Sequence, residues 1–150
     1  MPIKNFDKVY YRTAATPITT IAFSGATPSG WTALPAAALI DTAKIDLDKD
    51  VVTELNDGSS FIGSEKGTAE VSLINFAATD YGTIRSALIN NLVDLILIDS
   101  DNKSPAYCLW ASRLYPKFSA GDGEPKITLS ADKKRSAGAT SAAVTIIPVT

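Results

Sequence analysis

The stretch EKGTAEVSLINFAATDYGTIRSALINNLVDLILIDSDNK, residues 65–103, decides how the chain is read. Its first part, Gly67–Phe76, has the pattern of a strand. Ala69, Val71 and Leu73 alternate with Glu70 and Ser72, as on a half-buried sheet. The alternation slips at Ile74, which shares a phase with Phe76. One extra residue in this strand, a β-bulge, accounts for the slip. Thr79 or Asp80 then offers a helix N-cap. Tyr81, Ile84, Leu88 and Leu92 follow at helical spacing and predict one buried face of a helix over Tyr81–Asn91. Gly82 costs that helix about 1 kcal/mol relative to alanine, so it depends on packing against a sheet. Val93–Asp99 is apolar except for Asp94, the pattern of a central strand covered on both faces. Asp99-Ser100-Asp101-Asn102-Lys103 has the composition of a tight turn.

On the N-terminal side, residues 1–16 mix charge with Phe6, Tyr10 and Tyr11. They read as an N-terminal arm holding a short strand around Val9–Arg12, with residues 17–150 forming a single β domain. Ile18–Phe23 is β-branched and reads as a strand. Ser24–Pro35 carries Gly25, Pro28, Gly30 and Pro35 and reads as a long loop, with Trp31 anchoring it on apolar surface. Ala37–Asp48 resumes extended structure. Ala43, Ile45 and Leu47 face one way, and Lys44, Asp46 and Asp48 the other. Val51–Leu55 continues it after a bend. Asn56–Ser60 is a turn, and Phe61–Gly67, with Gly63 and Gly67, reads as mobile or bulged.

On the C-terminal side, Ala106–Tyr115 reads as one strand closed by Pro116 and the Gly121-Asp122-Gly123 turn. Ile127, Leu129 and Ala131 alternate with Thr128, Ser130 and Asp132 in a further amphipathic strand. Lys133-Lys134-Arg135 and Gly138 read as a turn. Ala143–Val149 is the last strand, and Pro148 places it at a sheet edge. The expectation is a mainly β fold: an antiparallel β-barrel or sandwich of about eight strands with one flanking α-helix.

Composition narrows the function. The chain has 150 residues, 45% of them apolar and 20% charged, with a net charge of −2. That is enough to bury about two-thirds of the unfolded surface in one domain. The small acidic excess gives no bulk attraction to nucleic acid or to an anionic membrane. The N-terminal residues have no signal-peptide core, and Leu34–Ile40 and Leu95–Ile98 are too short to span a bilayer. The expected place of synthesis is the cytoplasm. No histidine occurs, which removes Ser-His-Asp and Cys-His catalysis and histidine-bound zinc. The single cysteine, Cys108, lies in an alternating strand and reads as a core residue.

Other patterns have structural readings. Asp46-x-Asp48-x-Asp50 starts like a calcium loop, but Val51 stands where glycine is needed and Asp57 where glutamate is needed, so it reads as solvated strand charge. Asp99 and Asp101 sit where a turn wants aspartate, which outweighs a catalytic pair. Gly63-x-x-x-Gly67 lacks the following Lys-Ser/Thr of a phosphate loop. Lys133-Lys134-Arg135 reads as a solvated turn before a nucleic-acid contact. Trp31, Tyr10 and Tyr11 read as subunit-contact residues, with sugar or base stacking the alternative. No cofactor, metal or catalytic set can be assembled from these residues.

The run Thr42–Asp101 resembles the central part of phage tail tube (major tail) proteins. The pieces that carry the resemblance are Ile45-Asp46-Leu47, Asp57-Gly58, Gly63-Ser64-Glu65-Lys66-Gly67, Glu70–Phe76, Thr83–Asn90 and Val93–Asp99. They cover roughly 40% of the chain. The resemblance implies a fold shared with type VI secretion tube proteins and a structural, non-enzymatic role in the virion tail. It implies homo-oligomeric rings, usually hexameric, stacked into a hollow tube through which DNA passes without specific binding. Other tail proteins, such as tape measure, baseplate and terminator components, would be partners, and no membrane is involved. The inter-ring loop implied is Lys49–Gly67, with Lys49, Asp50, Glu54, Asn56, Asp57, Gly58, Phe61, Glu65 and Lys66 as contact candidates. Phe6, Tyr10 and Tyr11 are the arm candidates. The alternatives are a secretion-system tube, a baseplate or tail-completion component, and, in a different class, a small carbohydrate-binding β module using Trp31 and the tyrosines.

Overall fold

The computed structural model describes residues 4–34, 38–56, 58, 60–135 and 143–150; for residues 49–54, 60–64 and 134–135 the backbone alone is described. Nine strands and one helix follow in the order β1 (Lys8–Thr13), β2 (Thr32–Ala33), β3 (Leu39–Glu54), β4 (Ser60–Ile74), α1 (Asp80–Leu88), β5 (Val93–Ile98), β6 (Ala106–Ser112), β7 (Tyr115–Ser119), β8 (Lys126–Arg135) and β9 (Val144–Ile147). They form two antiparallel sheets, one ordered β2-β1-β5-β6-β9 and the other β3-β4-β8-β7. The architecture is an open sandwich, not a closed barrel. Pro148 directly follows edge strand β9, as expected of a residue that cannot donate to a ladder.

The inner core lies between the sheets. Val71, Leu73, Ile127 and Leu129 meet Val9, Leu95, Leu97 and Leu109, with Ile84 and Leu88 of α1 closing one end. Strand β5 is the centre of its sheet and is buried along its whole length. Leu95 and Leu97 face the inner core, and Ile96 and Ile98 face a second core on the outer side of the sheet. That outer core is covered by the irregular segment 14–31, which contributes Ile21, Phe23 and Trp31. Its main chain is tied to the last residues: Ile21 N donates to Pro148 O (3.1 Å), Thr150 N to Ile21 O (2.9 Å) and Phe23 N to Thr150 O (3.3 Å).

The structure revises several expectations. The short strand expected around Val9–Arg12 is present as β1, and it pairs with β5 on one side and β2 on the other. Ile18–Phe23 makes only an isolated bridge, Ile21 to Val149, because its backbone partners lie at the other end of the chain. Phe61–Gly67 is part of strand β4, and the bulge expected there falls at Gly63, passed over between Ser64↔Val51 and Ile62↔Val52. Lys133-Lys134-Arg135 also belongs to a strand, paired with Gly67, Lys66 and Glu65; Gly138 lies outside the described residues. Ala106–Tyr115 divides into β6 and β7 on different sheets. The bulge expected at Ile74 lies across the ladder: Leu73 faces Ile40 and Ser72 faces Thr42, leaving Asp41 as the extra residue on β3. Asp41 then reaches Lys126 of β8 at 2.9 Å. Leu92 does not share the buried helical face; it is 44% exposed, four residues past the end of α1.

Candidate functional site

Two features of the described chain are unused by its own fold: a long strand edge and a hairpin that outruns its sheet. β3 pairs with β4 from Leu39↔Ile74 to Glu54↔Ser60. Among the described residues, β8 covers β4 from Leu73↔Ile127 to Glu65↔Arg135. Beyond Glu65 the hairpin continues as two strands, Val51–Glu54 against Ser60–Ser64, reaching roughly 15 Å farther. Register shifts between Lys49 and Val52 bend it at its root. At the tip, Gly58 takes φ 87° and its N–H closes a turn on Leu55 O at 3.0 Å. Positive φ there requires little of glycine and much of any other residue.

The inter-ring candidates all map to this hairpin. Lys49, Asp50 and Glu54 lie on β3, Phe61, Glu65 and Lys66 on β4, and Asn56 and Gly58 at the tip. Asp57 lies outside the described residues, as do the side chains of Lys49, Asp50, Glu54 and Phe61. Lys66 makes a loose 4.0 Å ion pair with Asp132 on β8. Asp46 and Asp48 sit two apart on the solvent-facing side of β3. Among the described residues, no group of three His, Cys, Asp or Glu could hold a metal ion.

The aromatic candidates are placed differently. Tyr10 is buried at 4% exposure and Trp31 at 8%, both within the outer core. Burial raises the Tyr10 hydroxyl pKa above its ordinary value, with the Asp7 carboxylate adding to the effect. Burial likewise raises that of Tyr11, which packs on the inner core. Phe6 stacks edge-on against Tyr107, with ring centres 5.4 Å apart. Of the residues the carbohydrate module would use, Trp31 and Tyr10 are buried and Tyr11 is half-buried, which weighs against that module.

The charges inside the fold serve the backbone. Asp94 is fully buried: its Oδ2 accepts from Arg12 Nε (2.8 Å) and Ala15 N (3.1 Å), its Oδ1 from Ala111 N (2.8 Å). The Arg12 guanidinium lies 4.6 Å from the ring centre of Trp31 and 5.7 Å from that of Trp110. Asp99 accepts from Asn5 N (2.9 Å), Asp101 N (2.9 Å) and Asn102 N (3.2 Å). The Asn5 bond is the main reason its carboxyl pKa is held below the usual range. These are the bonds of a turn-forming aspartate. An open groove of about 550 Å³ between β1 and the start of β3 is lined by Tyr10, Thr27, Leu34, Leu39 and Ile40, with Asp7 and Lys8 at its side. Asp7 is committed to Ser100, bonding both its N–H and its hydroxyl.

Apolar side chains on the sheet margins were not singled out in the sequence. Leu39 and Leu47 of β3, Leu55 at the tip, Tyr115 and Phe118 of β7 and Ile146 of β9 are all more than 40% exposed. The signal was present only as large residues in phase with each strand, which does not separate an edge from a centre. Among the described residues, no helix is long and apolar enough to cross a membrane. No protein-family model matches the chain, and none of the curated proteins compared with it matches in sequence.

Proposed function

We propose that the chain is the structural subunit of a phage tail tube, assembling with copies of itself into rings that stack around a channel for DNA. The observation that carries this reading is the β3–β4 hairpin. Among the described residues its distal part finds no third strand in its own sheet, and β3, sixteen residues long, lies at the edge of that sheet. An edge of that length is an aggregation hazard in a monomer unless something completes it. Adjacent subunits would extend the four-stranded sheet around a ring, and the projecting hairpins would reach the next ring. The open sandwich and the apolar side chains on β3, β7 and β9 fit a part that is finished by its neighbours. A secretion-system tube would use the same geometry.

Negative-stain microscopy of concentrated protein tests the reading, with rings or tubes expected. Replacing Val52–Ile62 by Asn-Gly, which keeps the pairing of Val51 with Ser64, removes the projecting part and spares every residue paired with β8. The expected result is a folded protein by circular dichroism that no longer forms tubes. A monomer at all concentrations, or tubes that survive the replacement, would overturn the assignment.

A further inference from the structure

We propose that in the free subunit the β3 edge is closed by β3 of a second copy, in an antiparallel pair centred on Ile45. The inference goes beyond the tube reading, because a two-fold contact closes on itself and cannot propagate. Between the register shifts at Asp41 and Asp50, β3 runs regularly from Thr42 to Lys49. Placing two such strands antiparallel about Ile45 sets residue 45 against 45, 44 against 46 and 43 against 47. On the solvent side, Lys44 of each copy then faces Asp46 of the other, twice over. On the core side, Ile45 meets Ile45, and Ala43 meets Leu47.

Each of these matches supplies something the single chain lacks. Lys44 and Asp46 are exposed, and neither has an ion-pair partner among the described residues. Lys44 stands opposite Glu70 on β4, so the second copy would place its ammonium between two carboxylates. Ala43 and Ile45 are half-buried at the rim of the inner core, and Leu47 is 41% exposed. A second strand would cover all three. Other registers lose this fit: a two-fold centred on residue 44 or 46 sets a charged residue against its own copy, which is repulsive. The other edge of the same sheet, β7, is a poorer seat. Pro116 has no N–H to give, and its carbonyl already accepts from Tyr81 Oη at 3.2 Å.

Sedimentation equilibrium from about 5 to 500 µM at low salt tests the pairing, with a reversible dimer expected. Lys44→Asp alone sets an aspartate against Asp46 of the other copy, and Asp46→Lys alone sets a lysine against Lys44. Each should weaken the dimer roughly tenfold or more, since both symmetric pairs are lost. The double variant Lys44→Asp/Asp46→Lys restores opposite charges and should return the dissociation constant to within about threefold. Near-UV circular dichroism separates these surface effects from misfolding. A protein that stays monomeric throughout overturns the proposal. So does a dimer indifferent to the single reversals, or a double variant no better than either single one. Rings or tubes seen by microscopy together with indifference to Lys44→Asp would sink the dimer and leave the tube assignment standing.

Discussion

Asp94 sets a carboxylate near the start of the most buried strand, and the fold is arranged around satisfying it. Three donors converge on its two oxygens, and one of them is the N–H of Ala111. Ala111 sits at φ 49°, in the left-handed region that a side chain resists, where β6 carries an extra residue opposite β5. The charge thus fixes a bulge, and a buried charge left with no partner would cost several kcal/mol. Asp99 works the same way just past the other end of β5, with the backbone N–H groups of Asn5, Asp101 and Asn102 and the side chain of Asn102 as its partners. Its carboxyl pKa is lowered in the folded chain, chiefly by the Asn5 N–H. A lowered folded value means stabilisation that is complete above the ordinary carboxylate range and lost as pH falls through the folded value. Asp99→Ala should therefore cost about 1.5–3 kcal/mol at pH 7, the range for a hydrogen bond to a charged group. The difference from wild type should shrink as pH falls from the ordinary carboxylate range through the lowered folded value. Urea midpoints for both proteins across pH 2–7 check this. A gap that stays constant with pH would mean that the side chain acts by packing and not by charge.

Elements were legible where one physical cause dominated. β5 is named by its unbroken apolar run, and β8 by the alternation of Ile127, Leu129 and Ala131, all buried as that period requires. The helix was visible in the spacing of Ile84 and Leu88, which are buried against the sheets. Gly67 was misread because glycine in a strand usually marks a loop or a bulge. Here it marks a close approach of the two sheets. A Cβ at Gly67 would lie 2.8 Å from Val144 Cγ2, 3.1 Å from Leu109 Cδ1 and 3.2 Å from Ala143 Cβ. Its neighbours across the sandwich, not its own conformation, select glycine. Gly67→Ala should overpack this contact and destabilise by about 1–3 kcal/mol. Adding Val144→Ala removes the nearest methyl, so the double variant should lose clearly less than the sum of the two single ones. Thermal unfolding of all four proteins tests the coupling. Additive losses would place the strain of Gly67→Ala in the strand backbone instead.

At the scale of the whole molecule, the outer core depends on a pairing no local pattern reveals. The covering segment bonds to residues 148–150, so the two ends of the chain hold it jointly. Period and propensity act over a few residues, which is why Ile18–Phe23 looked like an ordinary strand and the second core was not foreseen. Cys108 reports on this cover. It is fully buried beneath Ile21, Phe23 and Trp31 in the outer core. Its thiol pKa is pushed up to about 12, first by burial and then by the nearby Asp94 carboxylate, with Arg12 opposing. At pH 8 a group with that pKa is ionised about one part in ten thousand, so both access and ionisation slow its reaction with a thiol reagent. The cover has no regular secondary structure over residues 14–31 apart from an isolated bridge at Ile21, whereas β6 beneath it is laddered on both sides. The cover should therefore lift without unfolding the sheets. The labelling rate of Cys108 at pH 8 should stay nearly flat at low urea, then rise steeply as global unfolding takes over. Trp31→Ala should raise the flat part more than it raises the steep part, because that ring belongs to the cover. A rate that climbs along the global unfolding slope from zero urea would make cover and sandwich one cooperative unit.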